Sequence, residues 1–207
     1  MEIKRLPLGS MGTNCYLAWC PKTLEGVVID PGFDGETVLK FIEELSLQVK
    51  YIVNTHGHLD HIGANRELQT ALHCPIAIGA EDAPMLTDAM GNLSYHMRQP
   101  VTSPAAELLL QDGDCLEFGA CILQVLATPG HTSGGISLYA PGVLFAGDTL
   151  FNRSVGRSDL PGGNQIQLLD SIVNKLLTLP DETRVLPGHG PESTVGEERM
   201  YNPWLQG

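Results

Sequence analysis

Short apolar or alternating runs recur along the chain, at Cys15–Trp19, Val27–Ile29, Tyr51–Val53, Ile76–Ile78, Ile122–Leu126, Val143–Phe145 and Arg184–Leu186. Their length and their β-branched and aromatic content predict strands. Elsewhere the apolar spacing becomes helical. One face is read at Val38, Phe41, Ile42 and Leu45, a second at Ala64, Leu68, Ala71 and Leu72 within a helix predicted over Ile62–His73, and a third at Leu168, Leu169, Ile172, Leu176 and Leu179. The resulting order is strands, helix, strand, helix, a run mostly of strands, a long helix, a strand and a C-terminal helix. It predicts an α/β fold with helices packed outside sheets. The two halves share a plan, strands first and a helix late, without a residue-level repeat.

The segment Ala83–Ala106 breaks this rhythm, with Met85, Met90 and Met97, a Gly91-Asn92 turn, and Pro100 and Pro104. A helix packed on the core is expected there, with a flap beside a site as the alternative.

Composition narrows the function. The chain has 207 residues, 43% of them apolar, enough for a sizeable core in one domain spanning 1–207. A net charge of −12 provides no basic surface for gripping phosphate backbones, so no nucleic-acid partner is expected. The N-terminal stretch holds no apolar run long enough for a signal peptide or a membrane span, so a cytoplasmic protein without a membrane partner is expected. The five cysteines, Cys15, Cys20, Cys74, Cys115 and Cys121, lack Cys-x-x-Cys spacing and read mostly as core thiols.

Candidate chemistry concentrates in Thr55-His56-Gly57-His58-Leu59-Asp60-His61, directly after the strand at residues 51–54. Three imidazoles and a carboxylate in so few residues suit zinc, iron or manganese. In an extended or turning backbone, positions two apart project to one side, so His56 and His58 can grip one ion while Asp60 and His61 turn toward another. Three later segments share one syntax, an apolar strand, a Gly or Pro-Gly turn, and one ligand-type side chain. They end at His131, Asp148 and His189. Strand ends are where α/β folds gather binding groups, so four endings on one rim would bring five histidines and two aspartates together. The other two histidines read as peripheral. His73 closes a helix, where the dipole favours an imidazole, and His96 faces solvent.

On these residues the chain resembles the metallo-β-lactamase superfamily, from Asp30-Pro31-Gly32 through His189. The resemblance implies an αββα sandwich of two mixed sheets flanked by helices. It also implies two divalent ions, zinc first, iron or manganese as alternatives. His56, His58 and His131 would hold one ion, Asp60, His61 and His189 the other, with Asp148 bridging and Asp60 and Asp148 catalytic. Gly147-Asp148-Thr149-Leu150-Phe151 and the stretch Ser154–Gly163 are similar to short single-domain members of the glyoxalase II (hydroxyacylglutathione hydrolase) group. That likeness implies hydrolysis of a small-molecule acyl thioester such as S-lactoylglutathione. Longer members of the group add a C-terminal helical domain, and a member of the shorter kind is expected here. β-Lactamases of the superfamily usually carry Cys where Asp148 stands. Persulfide dioxygenases share the His-x-His-x-Asp-His segment and a similar Gly-Arg-x-Asp stretch, so one iron on His56, His131 and Asp148 is the main alternative. Hydrolysis of another ester or lactone, or metal binding without turnover, are further ones.

One charge feature is independent of the resemblance. Between Arg98 and Lys175 the only basic residues are Arg153 and Arg157, both just after Asp148. They are candidates for binding a substrate carboxylate, against a structural ion pair of Arg157 with Asp159 or Asp148.

Overall fold

The computed structural model describes residues 1–206. Strands β1 (Glu2–Leu8), β2 (Thr13–Trp19) and β3 (Glu25–Ile29) form an antiparallel meander. Helix α1 (Gly35–Glu44) then crosses to β4 (Gln48–Asn54), parallel to β3. Helices α2 (Leu59–Ile62) and α3 (Asn65–Leu72) cross to β5 (Ile76–Gly79), and β6 (Leu108–Leu110) pairs parallel beside it. The second sheet has the order β14-β13-β10-β9-β8-β7. Its strands are β7 (Cys115–Phe118), β8 (Cys121–Ala127), β9 (Ile136–Ala140), β10 (Val143–Gly147), β13 (Arg184–Pro187) and β14 (Ser193–Thr194). All its pairings are antiparallel except β10 with β13. A small hairpin, β11 (Leu150–Phe151) with β12 (Ser154–Val155), follows β10, while α4 (Gln165–Ser171) precedes β13 and α5 (Val195–Tyr201) follows β14.

The two-residue period of a strand explains the layers. In β2, Tyr16 and Ala18 point into a core shared with Phe118, Leu123, Val125, Leu138 and Phe145 of the second sheet. Cys15, Leu17 and Trp19 point the other way, onto Val38, Ile42, Ile62 and Leu68 of the helices. A third cluster joins the outer face of the second sheet, through Leu144, Ala146 and Val185, to Leu168, Ile172 and Leu176. Helix, sheet, sheet and helix are therefore stacked, the αββα sandwich that was expected. Tyr16 meets Phe145 edge-on across the middle layer at 5.3 Å. Its hydroxyl donates to Pro187 O at 2.7 Å, so the buried phenol is satisfied by the opposite sheet.

Three local expectations are corrected. The helix read over Ile62–His73 is interrupted and resumes at Asn65. There the chain presses against Pro31–Gly32, with Ala64 N–H donating to Pro31 O at 2.9 Å and no room for a Cβ on Gly63, which would lie 1.9 Å from Gly32 O. Within that helix Ala71 faces solvent rather than the core. Segment Ala83–Ala106 holds no α-helix. It has a tight 3₁₀ stretch over Ala80–Leu86 containing Pro84 and a short turn at Ser94–His96, and is otherwise irregular. Ser94 exchanges hydrogen bonds with the backbone of Val101 in place of a helical ladder. The long helix is present but widens after Ser171, where Leu177 N–H reaches back five residues to Ile172 O at 2.8 Å. Among the described residues no helix is long and apolar enough to cross a membrane.

Candidate metal centre

Strands β4, β8, β10 and β13 all run toward one rim, since β10 is parallel to β13 and two antiparallel steps through β9 restore the direction in β8. Each ends in a turn that delivers ligand-type side chains. After β4 the backbone passes His56 and Gly57, His58 starts α2, and Asp60 and His61 lie within its single turn. After β8, Gly130 takes φ +132° and packs against Leu168, where a Cβ would meet backbone at 2.3 Å. That turn brings His131 to the rim. Asp148 follows Gly147, which takes φ +50°, and His189 follows Gly188, where a Cβ would fall 2.2 Å from an Asp148 oxygen.

All seven side chains meet. His56, His58 and His131 form one group, Asp60, His61 and His189 another, and His56, His61 and Asp148 a third, with donor atoms in each group within 4.8 Å of one another. His58 Nδ1 faces His131 Nε2 at 3.0 Å. Asp148 lies between the triads, with Oδ1 3.5 Å from His61 Nε2, and Oδ2 3.7 Å from His131 Nε2 and 3.6 Å from His189 Nε2. Asp60 Oδ2 is 3.1 Å from His189 Nε2 and 3.4 Å from His61 Nε2.

The electrostatics divide the cluster. Burial, reinforced by the surrounding imidazoles, pushes His56 far below the ordinary histidine value and His58 down to about 3, so these two rings are neutral and offer lone pairs. Burial also opposes a charge on His61, yet Asp60, Asp148 and Asp30 hold its proton up to about 10. Burial would raise Asp60, but His61 and His189 hold it well below the usual carboxylate range. The second triad thus sets an ionised carboxylate, Asp60, beside a protonated His61 whose proton a cation would replace.

The residues fit divalent cations. His56 Nε2, His61 Nε2 and Asp148 Oδ1 are buried without a hydrogen-bond partner, a costly state that metal ligation would relieve. Surrounding groups aim the rings, as around ligating histidines generally. His131 Nδ1 meets Arg157 O at 2.7 Å, which leaves Nε2 to face the cluster. Asp30 Oδ2 lies 3.1 Å from His61 Nδ1.

Several supporting residues have no signal in local sequence pattern. Asp30 also accepts from Thr55 N–H and from its hydroxyl, both at 2.7 Å. Thr13 donates to Asp60 Oδ2 at 2.9 Å. Asn14 holds the His189 turn, through Nδ2 to Pro187 O and Gly190 O and through its own N–H to Gly188 O.

The two arginines are placed differently. Arg157 forms a two-pronged pair with Asp159, at 2.8 Å and 2.9 Å, on the surface. It lines a cavity of about 310 Å³ with Val155, Ser158, Asp159 and Trp204, and is near enough to depress His58. Arg153 stacks its guanidinium 4.5 Å from the Tyr201 ring, on α5. The structural ion pair weighed for Arg157 is therefore present. His73 and His96 are both exposed and lie outside the cluster.

The metallo-β-lactamase superfamily model matches residues 8–189, which contain the whole cluster. The chain belongs to the metallo-β-lactamase superfamily. This superfamily member is 39% identical to the probable metallo-hydrolase YqgX of Bacillus subtilis, over all of this chain and 99% of the relative. It is 34% identical to the hydroxyacylglutathione hydrolase GloC of Haemophilus influenzae, over 99% and 98%. Among solved structures it is similar to BLEG-1, described as a B3 metallo-β-lactamase, with TM-score 0.94 and 38% identity over all of both chains. TTHA1623, described in a di-iron-bound form, gives 0.86 and 37% over 98% of this chain and all of the other. ETHE1 from Myxococcus xanthus gives 0.84 and 32% over 98% and 84%. A metal-dependent hydrolase is the activity these findings support. The likeness to a protein described as a β-lactamase was not expected from the sequence, which carries Asp148 rather than the Cys of many such enzymes.

Proposed function

We propose that this protein is a binuclear metal-dependent thioesterase of the glyoxalase II type, acting on S-lactoylglutathione or a related small acyl thioester. The observation that carries the reading is two complete donor triads flanking a single carboxylate, Asp148. The end-to-end similarity to the hydrolase GloC supports the choice of thioester. His56, His58 and His131 would hold one ion and Asp60, His61 and His189 the other, with zinc favoured by the imidazole-rich set and iron or manganese open to the carboxylates. When bound, the ions supply a hydroxide at neutral pH and neutralise charge on the carbonyl oxygen.

The chain's own residues do the rest. Asp148 touches both triads and sets their separation. Asp60, held by Thr13 and neighboured by His189, can orient an attacking water or accept a proton from it. No Ser or Cys nucleophile is required, and the leaving thiolate is a weak base that needs no strong acid. Arg157, exposed at the cavity edge, is the candidate for a substrate carboxylate, which would compete with Asp159 for the guanidinium. Arg153, stacked on Tyr201, is the weaker candidate. A cytoplasmic enzyme with a small-molecule substrate and no nucleic-acid or membrane partner completes the proposal.

The similarity to ETHE1 keeps one rival, an iron-dependent persulfide dioxygenase using His56, His131 and Asp148. The equally close gathering of Asp60, His61 and His189 favours two ions. The test is to load the protein separately with zinc, iron and manganese and assay three substrates. Release of glutathione from S-lactoylglutathione is expected. Oxygen uptake with glutathione persulfide, or opening of a β-lactam, without thioester turnover would overturn the reading.

A further inference from the structure

Asp82 is a carboxylate with no exposed surface and no cation against it, in the 3₁₀ stretch between β5 and the irregular segment. Its two oxygens are shared between two ligand-bearing turns. Oδ2 accepts from Gly57 N–H at 3.1 Å, between His56 and His58, and Oδ1 accepts from Gly134 N–H at 2.7 Å, three residues after His131. Those turns come from different sheets.

The backbones close on this residue so tightly that neither turn tolerates a side chain. A Cβ on Gly134 would lie 2.3 Å from Asp82 N and 2.8 Å from its Oδ1, and one on Gly57 would lie 2.5 Å from Met85 Cβ and 3.2 Å from Asp82 O. The glycine between the two histidines is therefore required by the wedge behind it as well as by the turn itself. Burial raises the Asp82 pKa, and the two amides and the nearby Thr132 hydroxyl oppose that rise.

We infer that Asp82 is a positioning residue for the first metal site, a buried wedge that sets the spacing between the His56–His58 turn and the His131 turn. The inference rests on the two-triad reading above. It gives the segment after β5 a role that is neither a flap nor plain core packing, since its first turn carries the carboxylate that ties His58 Nδ1 to within 3.0 Å of His131 Nε2. Deleting such an outer partner typically weakens metal binding 10- to 100-fold. A carboxylate that merely anchored its own segment would change both sites alike.

The experiment titrates zinc against a competing chromophoric chelator in two parent backgrounds. His189→Ala leaves the first triad intact, and His58→Ala leaves the second. Asp82→Asn keeps the volume and one acceptor but turns an NH2 toward one of the two amides, and Gly134→Ala drives a methyl into the wedge while leaving Asp82 in place. Both are expected to weaken zinc binding about 10- to 100-fold in the first background, and to change it less than about twofold in the second. Circular dichroism of the metal-free variants reports folding independently. Unchanged affinity in the first background, or equal loss in both, overturns the role of Asp82. Failure of the parent backgrounds themselves to bind zinc would instead overturn the two-triad reading, and this inference with it.

Discussion

Asp30 tests how far the ligand cluster depends on groups behind it. Its carboxylate is 1% exposed and accepts two hydrogen bonds of 2.7 Å from Thr55, while lying 3.1 Å from His61 Nδ1. Its backbone sits at φ 51°, a left-handed conformation that Asn tolerates better than Ala. Asp30→Ala would leave the Thr55 N–H without a partner in a dry interior, at about 1–3 kcal/mol, and the Thr55 hydroxyl with only His56 Nδ1 at 3.2 Å, at about 0.5–1.5 kcal/mol, and add about 1–2 kcal/mol for the left-handed backbone. Relief of the carboxylate's own desolvation offsets part of this. The net expectation is a loss of about 3–5 kcal/mol, a large share of the roughly 5–15 kcal/mol that holds a typical domain folded. Asp30→Asn keeps one acceptor and the backbone preference, so about 1–3 kcal/mol is expected. Urea denaturation of the metal-free protein measures both. A zinc titration should then show the site containing His61 weakened roughly 10- to 100-fold in either variant, because the ring loses its carboxylate. Equal stability of the Ala and Asn variants, or zinc affinity indistinguishable from the parent, would refute the reasoning.

Asp148→Ala should lower metal content and turnover together, since the carboxylate between the triads is lost and two cations would be less well neutralised, and elemental analysis beside the thioester assay checks this. Gly188→Ala should do similar damage without removing any ligand, because the added methyl would lie 2.2 Å from Asp148 Oδ1 and 2.8 Å from His61 Cε1, and full metal occupancy in that variant would contradict it. His189→Ala should cost one ion and spare the other, as read by stoichiometric titration. Arg157→Ala should leave metal content and thermal stability almost unchanged, since its pair with Asp159 is exposed. It should reduce kcat/KM for an anionic thioester by roughly ten- to a hundredfold while sparing an uncharged one, and equal losses on both substrates would assign the arginine to holding its loop.

The sequence by itself determined the candidate ligand set and the layered fold. Four candidates stand in one short segment directly after a strand and three more each follow a strand and a Gly or Pro-Gly turn, so local patterns carry them, and the seven side chains named from those patterns are the seven that converge. Strand and helix periods are likewise local, and they placed the core faces of α1 and α4 on the residues that are buried. Tertiary structure alone decided what stands behind the ligands. Thr13 and Asp60 are brought together across 47 positions within the half built on the first sheet, and Asn14 and Pro187, and Asp82 and Gly134, by sheet stacking across 173 and 52 positions. Nothing in the neighbourhood of a buried Thr or Asp announces such a partner. The same limit explains Arg153, whose charge was legible but whose position over Tyr201 depends on α5 folding back beside the β11–β12 hairpin. It explains Ala83–Ala106 as well. A packed helix was expected there, and Pro84, the Ser94–Val101 hydrogen bonds and the close approach of Gly57 and Gly134 decided against it. Directional contacts between distant segments depend on the packed arrangement of both sheets, whereas turn chemistry and apolar period depend on neighbours along the chain.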